Sequence, residues 1–254
     1  VSWVPYDYLK FPDEMVQGTV RYSWKVVPWT AYAHQKFLSH GLPNVTEPIP
    51  LGVDTQIWAP QGRRKFPRSM ARMGFGEDTY NLMIVGANQR RKYWQEQLEA
   101  INTFRKANPQ VKVRLYFHTH TTGDADLQQS AHFFCLDDIV TWPDQYVMAL
   151  GVIPEEQMVV AMSCADVVLN ACLEGMGLVP LQAQALGVPV ITMSEGPGPE
   201  YVKFGAEVGT MAVDYTQAAT KPIPDPVGIA RALEMLYEHR GERDQGAIEH
   251  IRQH

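Results

Sequence analysis

Short apolar runs alternate along this chain with longer segments in which apolar residues recur every three or four positions. A continuous apolar run is typical of a strand buried on both faces, whereas the longer period is typical of a helix. The runs that predict strands are Ser2–Tyr6, Trp24–Trp29, Asn81–Gly86, Val111–Phe117, Asp138–Trp142, Ala165–Asn170, Val188–Met193 and Gly205–Val213. The helical patterns cover Ala31–His40, the stretch through Leu98, Ile101 and Phe104, the surroundings of Leu127, Pro154–Cys164 and Pro226–Arg240. This alternation predicts an α/β fold, a Rossmann-like parallel sheet with helices on both faces.

The stretch Glu174–Ile191 predicts a turn, a helix and a strand in succession, directly after an apolar strand. Its Gly-rich turn covers 175–177, Pro180 falls in the first turn of the predicted helix, and Gly187 ends that helix. The N–H groups at the helix start are therefore expected at the carboxyl end of a strand. Such a place suits a phosphate or a sugar hydroxyl. Further along, the polar stretch Asp214–Asp225 predicts a loop.

The composition of the chain limits the kinds of protein it can be and the kinds of partner it can bind. With 254 residues and a formal net charge of −6, the chain has room for one or two domains, and its acidity argues against a nucleic-acid surface. Its three cysteines, Cys135, Cys164 and Cys172, have no metal-like spacing, and their odd number suits a reducing compartment. No apolar run reaches membrane-spanning length. We therefore expect a cytoplasmic protein that does not act on nucleic acid.

The pattern that begins at Glu174 is much more specific than its glycines. A Glu, then Gly-x-Gly-Leu, then an acid or amide eight positions after the Glu, then Gly-x-Pro-Val-Ile, resembles the donor-site signature of retaining GT-B glycosyltransferases of the family 4 type. One position departs from the signature, because the second Glu is Gln182 here. The segment Ile49–Pro60 is similar to the one where these enzymes pass from the N-terminal to the C-terminal domain, with Leu51 in place of an Asn.

This resemblance covers about Trp3 to Leu236 and implies a domain division. Residues 1–58 are expected to be a remnant of the GT-B N-terminal domain and the linker, because such a domain needs about 100–200 residues. Residues 59–236, whose pattern begins near Arg63, are expected to form the nucleotide-sugar donor-binding Rossmann-like domain. Residues 237–254 are expected to form a C-terminal helical tail. We therefore expect the N-terminal domain to be incomplete in this sequence.

A basic loop, 87–92, follows the predicted strand Asn81–Gly86 and precedes a helix, which is a place where Arg and Lys side chains meet a pyrophosphate. Lys92 matches the family Lys by its position six residues after Gly86. The family Arg is Ala87 here, so Arg90 or Arg91 is expected to serve, with Asn88 beside them. A solvated basic loop is the alternative interpretation.

The resemblance implies roles for further residues. Glu174 would hydrogen-bond hydroxyls of the donor sugar, Gln182 would hold the ribose hydroxyls, and backbone groups around Ile153 would face the base. The backbone N–H groups offered to sugar and phosphate are those of Gly175, Met176, Gly177 and Leu178. A Gln can still accept and donate at the ribose, which predicts altered nucleotide binding. The family segment that closes over the donor ends in a Glu, which corresponds to Glu200.

The implied reaction moves a sugar from a UDP- or GDP-sugar to a sugar, lipid or protein acceptor with retention of anomeric configuration. Arg91, Lys92 and the helix start at Gly177 would stabilise the leaving diphosphate, while Glu174 positions the sugar and is not the nucleophile. No cofactor and no metal are required. Two motifs that look like metal ligands have other interpretations: the pair His118 and His120 is expected to be structural or partly exposed, and Asp124–Asp126 is expected to cap a helix.

A second function of a different class stays open. The chain is also compatible with a non-catalytic or split nucleotide-sugar-binding module that needs a partner chain, or the missing N-terminal half, to supply the acceptor side. Gln182 and the short region before the linker favour that interpretation. A GT-B-shaped nucleotide-sugar epimerase has weaker support, because such enzymes carry different acidic residues.

Overall fold

The computed structural model of the chain describes residues 1–61, 67–216 and 219–253. The helices are α1 (Asp13–Val20), α2 (Ala31–Ser39), α3 (Pro67–Arg72), α4 (Trp94–Ala107), α5 (Leu127–Phe133), α6 (Gln145–Leu150), α7 (Glu155–Cys164), α8 (Leu178–Ala185), α9 (Gly198–Tyr201), α10 (Pro226–Glu238) and α11 (Gln245–Gln253). The strands are β1 (Ser2–Val4), β2 (Val26–Pro28), β3 (Tyr80–Val85), β4 (Val113–His118), β5 (Val140–Thr141), β6 (Val167–Leu169), β7 (Val190–Met193), β8 (Gly205–Val208), β9 (Thr210–Thr216) and β10 (Ala219–Pro224). Arg63, where the second region was expected to begin, lies outside the described residues.

A six-stranded parallel sheet forms the centre of the molecule, in the order β5-β4-β3-β6-β7-β8. The chain moves outward in one direction from β3 through β4 to β5 and then returns to the other side of β3 at β6. This reversal opens a crevice beyond the carboxyl ends of β3 and β6, where open α/β sheets bind ligands. The predicted parallel sheet is confirmed.

Helices cover both faces of the sheet because each presents an apolar side to it. On one face α4 and α10 pack through Leu98, Ile101 and Leu233 into the larger core. On the other face α7, α8 and α11 contribute residues such as Met162 and Leu181. The strand β3 is buried along almost its whole length, as its continuous apolar run predicts.

The first part of the chain forms a smaller body with its own core. Strands β1 and β2 pair in parallel, and α1 and α2 pack beside them. The shared apolar core consists of Tyr6, Val16, Val20, Val26, Ala33 and Phe37. The division into 1–58, 59–236 and 237–254 stays a prediction. Among the described helices, none has the length and apolar composition needed to cross a membrane.

The polar stretch Asp214–Asp225 is not a loop, and that prediction was wrong. Where it is described, it belongs to an antiparallel hairpin of β9 and β10, in which Val213 pairs with Pro222. Its prolines suggested a loop because they cannot donate to a ladder, but a two-stranded hairpin tolerates them on its open edges. A bridge between Lys10 and Thr220 fastens the hairpin to the N-terminal segment.

Candidate active site

The basic loop is held in place by its backbone. Arg90–Lys92 form a short 3₁₀ turn after β3, and Tyr93 takes a left-handed conformation (φ 50°) before α4 begins. The buried amide of Gln97 donates to the Lys92 carbonyl oxygen at 2.9 Å. These contacts direct the Lys92 side chain inward, where only 6% of it is exposed. We call Arg90–Lys92 the basic turn.

Glu174 meets the basic turn across the crevice. Its carboxylate forms an ion pair with the Lys92 ammonium, and its Oε1 lies 3.4 Å from Nη1 of Arg91. Burial lowers the pKa of the Lys92 ammonium from its ordinary value, and the nearby guanidinium of Arg91 acts in the same direction. The structure thus brings together the three residues predicted to be catalytic.

Two polar residues near Glu174, Asn170 and Cys172, were not predicted to belong to the site. The Cys172 thiol lies 3.7 Å from Glu174 Oε1 and 3.9 Å from the side-chain oxygen of Asn170. Within the described part of the chain, the buried Nδ2 of Asn170 has no hydrogen-bond partner. Asn170 ends the apolar run that predicted a strand, and Cys172 follows that run closely, so their position gave no sign of a site.

The Gly-rich turn needs glycine because of crowding. A Cβ at Gly177 would lie 2.8 Å from Cδ of Pro180 and 3.3 Å from Oε2 of Glu174, and one at Gly175 would collide with Pro5. Gly177 precedes α8, whose first residue is the half-exposed Leu178. The turn therefore brings backbone close to the Glu174 carboxylate, which a side chain at position 177 would hinder.

The other predicted substrate-binding residues lie on both sides of this centre. The Met176 sulfur accepts a hydrogen bond from the Leu51 N–H of the linker at 3.1 Å. Gln182 is partly exposed on α8, and no residue that the structure describes hydrogen-bonds its side chain. By contrast, the buried Gln184 links α8 to the chain before β8 through Phe204.

Two predicted site residues next to Arg91 and Lys92 have other positions: Asn88 holds neighbouring loops together, and Arg90 lies on the surface. Asn88 donates both amide hydrogens, to the carbonyl oxygens of His120 at 3.1 Å and Ala125 at 2.8 Å, so its side chain fastens the loop after β4. The Arg90 side chain is 77% exposed and lies 3.9 Å from Asp214 of the hairpin. The structure brings neither of these two side chains to Glu174.

Both carboxylates of the Asp124–Asp126 motif act as caps. Asp124 accepts from the Arg90 N–H at 2.9 Å, which anchors the basic turn, and Asp126 accepts from the Gln129 N–H at 2.9 Å at the start of α5. The capping expected of this motif is confirmed for Asp126. Among the described residues, no group of three or more His, Cys, Asp and Glu side chains could hold a metal ion.

A cavity of about 620 Å³ opens at the carboxyl end of β4. Ile153 lines it together with His118, Trp142, Pro143 and Met158. Burial lowers the pKa of His118 to about 4, so the imidazole is neutral near pH 7. Polar side chains, Asp144, Glu156 and Gln157 among them, also line the cavity. It therefore combines apolar surface with hydrogen-bonding groups, a composition that suits a planar heterocycle.

Glu200 joins the two bodies. Its carboxylate accepts from the backbone N–H groups of Ala31 at 2.8 Å and Tyr32 at 2.5 Å, at the start of α2. A negative charge is favourable at a helix N-terminus. The role of this segment in closing over the donor stays a prediction, and in the structure its terminal Glu attaches α2.

Comparison with known proteins identifies relatives. Residues 79–239 match the family described as Glycosyl transferases group 1. The D-inositol 3-phosphate glycosyltransferase of Arthrobacter sp. (strain FB24) is 29% identical over 207 residues, which cover 79% of this chain and 44% of the relative. The protein of the same name from Paenarthrobacter aurescens is 30% identical over 149 residues, which cover 58% of this chain and 34% of that protein. The chain therefore spans less than half the length of these two relatives.

Solved structures share the fold. Sucrose-phosphate synthase from Thermosynechococcus elongatus superposes with a TM-score of 0.70 at 17% identity, covering 95% of this chain and 56% of that one. HepE from Anabaena, in complex with UDP and glucose, has a TM-score of 0.67 at 14% identity, covering 95% of this chain and 60% of that one. These similarities confirm the GT-B fold class.

Proposed function

The chain belongs to the group 1 glycosyl transferases, and on that premise we propose that it transfers a sugar from a nucleoside-diphosphate donor to a sugar, lipid or protein acceptor with retention of anomeric configuration. The observation that carries the proposal is the cluster of Lys92, Arg91 and Glu174 at the crevice between β3 and β6. Two cations and a carboxylate converge where this sheet order binds nucleotides.

The cluster supplies what sugar transfer from a diphosphate demands. As the bond between the anomeric carbon and the phosphate oxygen breaks, negative charge accumulates on the leaving diphosphate. Lys92 stabilises that charge from a buried position, where the attraction is stronger than in water, and the partly exposed Arg91 adds a second cation. Glu174 is then free to accept hydrogen bonds from donor-sugar hydroxyls and to orient the sugar.

The remaining parts of the donor have places along the same edge. The cavity that Ile153 lines accommodates the base, with His118 as a neutral hydrogen-bonding partner. The side-chain amide of Gln182 has open hydrogen-bonding capacity for the ribose hydroxyls. A uridine nucleotide is favoured, because the similar fold of HepE was solved with UDP and glucose.

The experiment has two readouts on the same protein. Isothermal titration with UDP, GDP and ADP and with their glucose conjugates identifies the base, and we expect UDP to bind most tightly. Proton NMR of the sugar released or transferred from the bound donor reports its anomeric configuration, and retention is expected. No binding of any diphosphate would overturn the donor site, and binding without turnover would leave only a sugar-nucleotide-binding module.

A further inference from the structure

The N-terminal segment Pro5–Lys10 lies along the edge of the candidate active site. At one end Pro5 packs directly against Gly175 of the Gly-rich turn. At the other end the backbone of Leu9 and Lys10 hydrogen-bonds to Thr220 of the hairpin at 2.8–2.9 Å. The middle of this segment therefore lies between the Gly-rich turn and the hairpin.

A buried lysine of the hairpin faces that middle portion. Only 7% of the Lys221 side chain is exposed. Its Nζ lies 3.4 Å from Oδ2 of Asp7 and 4.3 Å from the ring centroid of Tyr8. A buried ammonium requires such compensation, because desolvation of a charge is costly.

The same hairpin face contacts the basic turn. Lys221 is the cross-strand partner of Asp214, and directly paired residues project from the same face. The Asp214 carboxylate lies 3.4 Å from the Tyr93 hydroxyl and 3.9 Å from Nη2 of Arg90, the residues on either side of Arg91 and Lys92. Lys221 is thus placed beside the predicted diphosphate site by strand register and not by a flexible loop.

The charges of the three elements act on one another. The Lys221 ammonium contributes to the lowered pKa of Lys92, whose first cause is burial, and the Arg91 guanidinium opposes the rise in the pKa of Tyr8 that burial and Asp7 produce. Three cations, Arg91, Lys92 and Lys221, therefore share one region with three carboxylates, those of Asp7, Glu174 and Asp214. An incoming diphosphate is the kind of anion that such an arrangement favours.

We propose that Lys221 is a third cation of the diphosphate site, paired with Asp7 in the ligand-free chain and transferred to a phosphate oxygen when the donor binds. This inference rests on the proposed function. The hairpin would then contribute, through Lys221, a phosphate contact that the basic turn alone does not provide. A consequence is that Lys221 favours nucleoside diphosphates over monophosphates, since a second phosphate group is needed to span from the basic turn to the hairpin.

The test compares the affinities of UDP and UMP for Lys221→Met, Lys221→Arg, Asp7→Asn and the wild-type chain. Lys221→Met is expected to weaken UDP binding about 10- to 100-fold, the range for a lost charge-assisted contact, and UMP binding less than about 3-fold. Lys221→Arg keeps the charge and most of the affinity. Asp7→Asn removes the competing carboxylate and is expected to strengthen UDP binding. The exposed Lys112, which pairs with Asp78, provides the matched control Lys112→Met.

The outcomes separate this inference from the proposed function. If UDP binds the wild-type chain and Lys92→Met abolishes binding while Lys221→Met has no effect, the Lys221 inference fails and the donor site stands. If Lys221→Met and Asp7→Asn weaken UDP and UMP equally and lower the melting temperature together, the pair is a structural tie and the inference is overturned. If Lys221→Met does not fold, the other two variants still test the inference. It requires that Lys221→Arg keep most of the UDP affinity and that Asp7→Asn raise it. If no nucleoside diphosphate binds the wild-type chain, both proposals fail.

Discussion

Replacing Glu174 with Gln removes the only carboxylate that pairs with Lys92 among the described residues, and the buried ammonium then stands alone. Breaking a buried ion pair from one side costs about 3–5 kcal/mol of unfolding free energy, because the remaining charge is uncompensated. The opposite change, Lys92→Met, is expected to cost less unfolding free energy, about 1–2 kcal/mol. The reason is that the Glu174 carboxylate keeps Arg91 at 3.4 Å and its side chain remains 15% exposed to solvent.

Urea unfolding of the wild type, Glu174→Gln, Lys92→Met and the double variant measures this asymmetry. The double variant is expected to be about as stable as Lys92→Met, which gives a coupling free energy of about 3–5 kcal/mol. The destabilisation of Glu174→Gln also depends on pH. Burial holds the folded pKa of Lys92 below its ordinary value of 10.5, so the unfolded chain binds more protons between those two pKa values. Stability of this variant therefore rises with pH across that window.

Two results would refute this reasoning. If the two single variants lose equal stability and their effects add in the double variant, Lys92 and Glu174 do not compensate each other. If Glu174→Gln shows no greater rise in stability with pH than the wild type, Lys92 does not retain a buried charge when its carboxylate is lost.

Three further predictions concern the stability of the fold. Burial lowers the pKa of His118 from 6.5 to about 4, so the full contribution of its neutral form to stability is present above pH 6.5. The unfolding free energy should therefore fall by up to about 3 kcal/mol as the pH is lowered toward 4, and His118→Asn should flatten that slope in urea titrations at several pH values. Glu200→Ala should cost about 1–2 kcal/mol by urea unfolding, because the first N–H groups of α2 lose their acceptor, and an unchanged stability would contradict the attachment. Gly205→Ala should cost about 3–5 kcal/mol, because its Cβ would collide with the Val190 backbone at φ +139°, whereas Gly209→Ala, with open space around it, should cost less than about 1 kcal/mol by thermal unfolding.

The parallel sheet could be predicted from the sequence because it follows from local pattern, and the family resemblance assigned Glu174 and Lys92 to one site. The apolar runs identified β3 and β6, and residues after the carboxyl ends of neighbouring parallel strands must lie at one edge of the sheet. The match of Lys92 to the family Lys, six residues after Gly86, then indicated that the basic turn lies at that edge.

The hairpin and its contacts could not be predicted in this way. Pro222 and Pro224 suppressed the strand pattern of β10, and the pairing of Lys221 with Asp7 joins residues far apart in the chain. Glu200 lies in a Gly- and Pro-rich segment that resembled a donor-closing loop, and its contact with α2 depends on how the two bodies pack. Such contacts are set by tertiary placement, for which local periodicity carries no signal.

The central claim is that the basic turn and Glu174 form a diphosphate site, and the most direct test is calorimetric titration of UDP and uridine into the wild type, Lys92→Met and Lys112→Met. The account predicts that UDP binds the wild type and Lys112→Met alike, that Lys92→Met weakens it by about 10-fold or more, and that uridine responds little to either change. Equal weakening of UDP and uridine by Lys92→Met, or UDP binding that survives it intact, would contradict the account.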